Sequence, residues 1–97
     1  MVIQDYIQEL ASLLSANKAV EKLYLFGSRA NGTAREFSDI DIAISCPKAT
    51  LEDWKYYENI LDNPPTLNSI DLVDYDSVDK SLRKKINQEG LVLYEKK

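Results

Sequence analysis

Apolar residues at Val2, Ile3, Tyr6, Ile7, Leu10, Leu13 and Leu14 recur at a spacing that paints one face of a helix over Val2 to Asn17. The run Leu23 to Phe26 (LYLF) is too short for a helix and is stopped by Gly27-Ser28, so it predicts a buried strand. Arg29 to Ser38 is polar, with room for a short helix and a turn signal at Asn31-Gly32. Ile40 to Ile44 is β-branched and alternates strictly with Asp41 and Ala43, which predicts a second strand, ended by Pro47. Thr50 and Asp53 form a capping-box pattern that opens a helix through about Asp62, with Leu51, Trp54, Tyr57 and Leu61 as its inner stripe. Asn63-Pro64-Pro65 breaks it. Ile70 to Val73 reads as a third strand, and Asp76 or Ser77 as the cap of a helix carrying Val78, Leu82 and Ile86. Gly90 stands where a C′ glycine belongs, and Leu91 to Tyr94 reads as a last short strand. The order helix, strand, short helix or loop, strand, helix, strand, helix, strand predicts an α/β domain with a small mixed sheet, one domain over residues 1–97.

Composition narrows the chemistry. The chain has no histidine, which excludes His-based acid/base catalysis, Ser-His-Asp triads and His metal sites within it. One cysteine, Cys46, excludes an internal disulfide and a Cys-cluster zinc site, and suggests a reducing, cytoplasmic setting. Twelve basic against sixteen acidic side chains give a net charge of −4, against the basic excess of domains that grip nucleic-acid backbones. No stretch reads as a signal peptide or membrane span. The remaining reagents are carboxylates, hydroxyls, Arg and Lys.

Among the carboxylates, Asp39 and Asp41 flank Ile40, and a side-chain period of two sends both to one face, ~6–7 Å apart along the strand. Two like charges that close repel unless a cation lies between them. Oxygen-only ligands suit Mg²⁺ or Mn²⁺. Asp71 repeats the pattern between Ile70 and Leu72, and joins the pair if its strand lies beside the second one. A lone Asp-x-Asp equally fits a strand edge with two solvated acids. Gly27-Ser28, directly after a buried strand, fits a phosphate cradle of backbone N–H groups and a hydroxyl, or an ordinary strand-ending turn. Cys46 and Trp54 read as core; Lys80, Arg83, Lys84 and Lys85 read as a solvated face or a partner-facing patch, and Arg35 as a surface arginine within reach of a nucleotide.

Taken together, GSRANGTAREFSDIDIAI followed by a later strand Asp resembles the DNA polymerase β-like nucleotidyltransferase superfamily. More closely it is similar to the minimal nucleotidyltransferases (MNT), which pair with HEPN proteins in two-gene modules. The resemblance implies a polymerase β-like core, with Gly27 and Ser28 as the phosphate-binding pair and Arg29, at a commonly basic neighbouring position, as a further nucleotide-binding residue. It makes Asp39 and Asp41 the metal-binding pair and Asp71 the third metal-binding carboxylate, all three catalytic. Asn31 departs from it, standing where relatives often carry Arg or Lys. The activity implied is Mg²⁺- or Mn²⁺-dependent transfer of a nucleoside monophosphate, expected to be AMP from ATP, to a hydroxyl. The resemblance further implies a helical, HEPN-type toxin partner whose tyrosine is the acceptor, an antitoxin role, and a homo- or hetero-oligomer binding neither nucleic acid nor membrane. The metal is expected to bind with the triphosphate. Two alternatives stay open: a non-catalytic antitoxin that neutralises by contact, and a transferase half acting on a small molecule such as an aminoglycoside.

Overall fold

The computed structural model describes residues 2–35, 38–62 and 64–97. The elements are α1 (Ile3–Ser15), β1 (Lys22–Phe26), α2 (Ser28–Asn31), β2 (Ile40–Ser45), α3 (Leu51–Leu61), β3 (Ile70–Asp74), α4 (Lys80–Glu89) and β4 (Leu91–Glu95). The strands form one mixed sheet in the order β3-β2-β1-β4. β1 runs antiparallel to both β2 and β4, while β2 and β3 are parallel and joined through α3. Among the described residues no helix is long and apolar enough to cross a membrane.

Alternation along the strands builds two cores. Ile40, Ile42 and Ile44 of β2 and Leu23 and Leu25 of β1 turn toward α1 and α3, where Leu10, Leu14 and Tyr57 are fully buried with them. Each such apolar side chain stabilises the fold by about 1.5–3 kcal/mol relative to exposure. On the opposite face Ala43 and Tyr24 pack under Ile86 of α4, flanked by Phe26, Val73, Tyr75 and Leu82. Trp54 packs against the larger core, and Cys46 is buried, its thiol pushed up to about 11, mainly by burial.

The capping box forms as expected: the Asp53 amide donates to the Thr50 hydroxyl, and the Thr50 amide donates to the Asp53 carboxylate at 2.8 Å. The inner stripe of α3 is revised, since Leu51 is 74% exposed and Ile60 packs inward with Trp54, Tyr57 and Leu61. The cap of α4 is revised too. Asp79 is the N-cap and accepts from the Leu82 amide at 2.8 Å, which leaves Val78 outside the helix. Asp76 does not cap because its carboxylate accepts from the Cys46 amide (3.1 Å) and the Ser45 hydroxyl (3.2 Å). Gly90 is not a left-handed C′ residue; its backbone is extended at φ −73°. Its lack of a side chain serves packing, because a Cβ there would strike the Ile86 carbonyl oxygen. Asn63 of the expected breaker, and Glu36 and Phe37 of the polar stretch before β2, lie outside the described residues.

Candidate active site

Three neighbouring strand ends bring the candidate groups together. Phe26 pairs with Asp41 across the antiparallel β1–β2 ladder, so Gly27, the next residue, arrives beside the Asp41 carboxylate. On the other side of β2, Asp41 pairs directly with Asp71 in the parallel β2–β3 ladder. The condition on which Asp71 was expected to join the site is therefore met. Asp41 and Asp71 share their face with Ala43 and Val73, which lie under α4. Among the described residues the helix packs on that farther part of the face, while Asp39 and Asp71 are exposed and Asp41 is half-buried.

Gly27 holds φ 74°, ψ −153°, a backbone state that side-chain-bearing residues rarely adopt. A Cβ there would also collide with Oδ2 of Asp41 and lie 3.3 Å from its Cγ. The glycine is thus required first by the carboxylate beside it. Ser28 opens the single turn of α2, half-buried, and its carbonyl accepts from the Thr33 amide at 3.0 Å. Asn31 turns back on its own loop, its side-chain oxygen accepting from the Thr33 amide at 3.1 Å and from the Thr33 hydroxyl at 2.6 Å.

Among the described residues, the influences on the Asp41 carboxyl push its pKa up: burial first, then the charges of Asp71 and Asp39, then a hydrogen bond with Asp71. A carboxyl crowded by two acids is stabilised by a proton or by a cation. Asp39 lies just before β2 and is exposed, near enough to act on Asp41. Among the described residues no three acidic or cysteine side chains stand close enough together to hold a metal ion by themselves. Hard oxygen donors on an open face fit Mg²⁺ or Mn²⁺, which commonly take a few carboxylates and complete their shell with substrate phosphates.

Arg29, expected at the nucleotide, has its guanidinium on backbone carbonyls of the chain before β2. Its guanidinium donates to the Ser38 carbonyl through Nη2 (2.9 Å) and Nε (3.2 Å), and to the Arg35 carbonyl at 3.4 Å. It is thereby engaged with the chain leading into Asp39. Asn68, which the sequence reading did not single out, is buried and donates to the same Ser38 carbonyl. Of the basic side chains on α4, Arg83 is half-buried, 5.6 Å from the Tyr75 ring centre and bonded to the Asp76 carbonyl, whereas Lys80, Lys84 and Lys85 are exposed.

Comparison with known proteins places this arrangement. No curated protein matches the chain. Among solved structures, a variant of the MntA-HpeT toxin–antitoxin complex bearing two Asp-to-Glu substitutions is similar at TM-score 0.71 and 25% identity, over 92% of this chain and 73% of that one. A toxin–antitoxin structure with AMP-PNP is similar at TM-score 0.69 and 26% identity, over 96% of this chain and 73% of that one. A complex of a tri-AMPylated Shewanella oneidensis HEPN toxin with its MNT antitoxin shares the fold at TM-score 0.68 and 23% identity, over 96% and 72% of the two chains. The family described as Polymerase beta, Nucleotidyltransferase matches residues 8–97, nearly the whole chain, and the chain belongs to that nucleotidyltransferase family.

Proposed function

We propose that the chain transfers AMP from ATP to a hydroxyl, the acceptor oxygen bonding to the α-phosphorus as pyrophosphate leaves, that the acceptor is a tyrosine of a helical HEPN-type toxin, and that this makes the chain an antitoxin. The observation that carries the chemistry is the adjacency of Asp41 and Asp71 beside Gly27-Ser28. It places unneutralised carboxylates next to a glycine turn, where a triphosphate can approach the backbone closely. Similarity to a toxin–antitoxin structure bound to AMP-PNP favours an adenine nucleotide and a protein partner.

Asp39, Asp41 and Asp71 would hold Mg²⁺ or Mn²⁺, which when bound neutralises the triphosphate and lowers the pKa of the acceptor hydroxyl. The chain's own residues do the positioning, and phosphoryl-type transfer depends on positioning more than on covalent help. Gly27 and Ser28 orient the phosphates. Asp71, on the exposed outer strand, meets the acceptor and takes its proton. The test incubates the purified chain with ATP, Mg²⁺ and the neighbouring gene product and weighs both proteins intact. A gain of one or more AMP units on the partner that requires Asp39 and Asp41 supports the reading. Efficient transfer to small-molecule hydroxyls with no second protein present would overturn it, and full neutralisation by an Asp41→Asn chain would replace catalysis with contact.

A further inference from the structure

Asp39 differs from the other two carboxylates in how its backbone is held. Asp41 and Asp71 lie within β2 and β3 and are fixed by the ladder between them, but Asp39 precedes the first residue of β2. Its peptide with Ser38 is pinned instead. The Ser38 carbonyl accepts from Asn68 Nδ2 at 2.9 Å and from Arg29 Nη2 and Nε at 2.9 and 3.2 Å. A carbonyl has two lone pairs, so three donors, two of them on a cation, make a crowded and strongly held acceptor. A peptide group is planar, so fixing the Ser38 carbonyl also fixes the nitrogen and Cα of Asp39. One residue beyond, the Ile40 amide donates to the Ser69 carbonyl at 2.8 Å. Asp39 is thus bracketed on both sides by the consecutive residues Asn68 and Ser69, and the same segment runs on to Asp71.

Asn68 is only 7% exposed, although its neighbour Leu67 is 87% exposed. A buried amide is costly unless it is hydrogen-bonded. Its position is met by the Ser38 carbonyl on one side and by Thr66 on the other, whose hydroxyl bonds to Oδ1 and also accepts from the Asn68 amide at 3.2 Å.

We infer that Asn68 and Arg29 are positioning residues that act jointly through the Ser38 carbonyl, setting Asp39 against Asp41 and so tuning the metal affinity of the site from outside its ligands. This rests on the reading of Asp39 as a metal ligand. It assigns Arg29 to the carboxylate side of the site rather than to the phosphates.

The test titrates Mn²⁺ by electron paramagnetic resonance into the chain saturated with AMP-PNP, using Asn68→Leu, Arg29→Ala, Arg29→Lys and the double variant Asn68→Leu/Arg29→Ala. Metal-free AMP-PNP affinity and circular dichroism are measured in parallel. Loss of a partner that orients a metal ligand typically weakens affinity ~10–100-fold, so each of Asn68→Leu and Arg29→Ala should lower Mn²⁺ affinity about tenfold with metal-free nucleotide affinity unchanged. Arg29→Lys, which keeps one donor, should lose less. Because both residues act on one acceptor, the double variant should lose clearly less than the product of the two single losses. Wild-type Mn²⁺ affinity in the variants, a fully multiplicative double variant, or a fall in metal-free nucleotide affinity with Arg29→Ala would each overturn the inference. If Asn68→Leu does not fold, the two Arg29 variants alone decide it. Asp39→Asn separates the two levels: weakened Mn²⁺ binding there with none in the positioning variants overturns this inference only. Unchanged binding in Asp39→Asn overturns the ligand assignment with it.

Discussion

Two pairs of aspartates stand at opposite ends of the same two strands, and their surroundings differ. At the far end, Asp74, the last residue of β3, and Asp76, two residues beyond it, are met by protein donors. Asp74 accepts from the Ser77 hydroxyl at 2.9 Å and the Asp76 amide at 3.1 Å, and Asp76 accepts from the Cys46 amide and the Ser45 hydroxyl. Those carboxylates tie a turn to the end of β2. At the near end, Asp41 meets burial and the charges of Asp71 and Asp39, all of which oppose its ionisation. The residue type is the same. One pair is structural because the fold answers its charge, and the other is a candidate for chemistry because the fold leaves the charge for a cation to answer.

The largest expected effect breaks this contrast at its near end. Asp41→Asn should abolish Mg²⁺-dependent ATP binding, with a loss well beyond the ~100-fold upper range of outer-shell changes. Isothermal calorimetry against wild type decides it, and equal affinities would remove Asp41 from the site. Next comes Gly27→Val, which forces a side chain into a left-handed backbone and against Asp41. Strain of about 1–3 kcal/mol and loss of nucleotide binding are expected, read from thermal melts and calorimetry; a variant that binds ATP normally would refute the cradle.

Asp76→Ala sharpens the far end. It should cost about 1 kcal/mol, the order of a hydrogen bond and thus ~4–8 °C in Tm for a domain of this size, while nucleotide binding stays within about twofold of wild type. A Tm unchanged by Asp76→Ala would mean that the donors around it stabilise nothing.

The smallest effect is a pH dependence. In the folded chain the Asp41 carboxyl is raised above its ordinary value of 3.8, by burial first and then by its acidic neighbours. A raised carboxyl contributes stability that is fully present below the ordinary value and is lost as pH rises through the folded one. An amide does not titrate. Melting temperatures of metal-free Asp41→Asn should therefore gain on wild type as pH climbs from below 3.8 toward neutrality, and Mg²⁺ with ATP should reverse the gain. A difference that stays constant with pH would contradict the crowding of Asp41.

Much of this was legible in the sequence because it depends on local periodicity. Alternation placed Ile40, Ile42 and Ile44 in the core and Asp41 on the other face, and the Thr50/Asp53 box opened α3 where the pattern put it. What stayed hidden depends on partners distant in the chain. Asp76 looked like a helix cap until Ser45 and Cys46 were seen to claim it, and Leu51 fitted a helical stripe that the sheet does not reach. Asn68 drew no reading from the sequence, because nothing in its neighbourhood shows that the chain before Asp39, thirty residues earlier, bonds to it. Arg29 had the right chemistry for phosphate, and only the fold shows its guanidinium facing backbone carbonyls.

The parallel pairing of Asp41 with Asp71 has a consequence for the sheet's edge. β3 is an outer strand, flanked by β2 alone, and its residues are at best half-buried. An edge with so little burial opens more readily than the sheet's centre. A metal–nucleotide complex that draws on both Asp41 and Asp71 binds only while β3 is docked, so by mass action it holds the edge closed. On that reading the candidate site would also act as a clasp. Amides of β3 should exchange their hydrogens with solvent more slowly once ATP and Mg²⁺ are bound, while those of the outer strand β4, at the opposite edge, should keep their original rate.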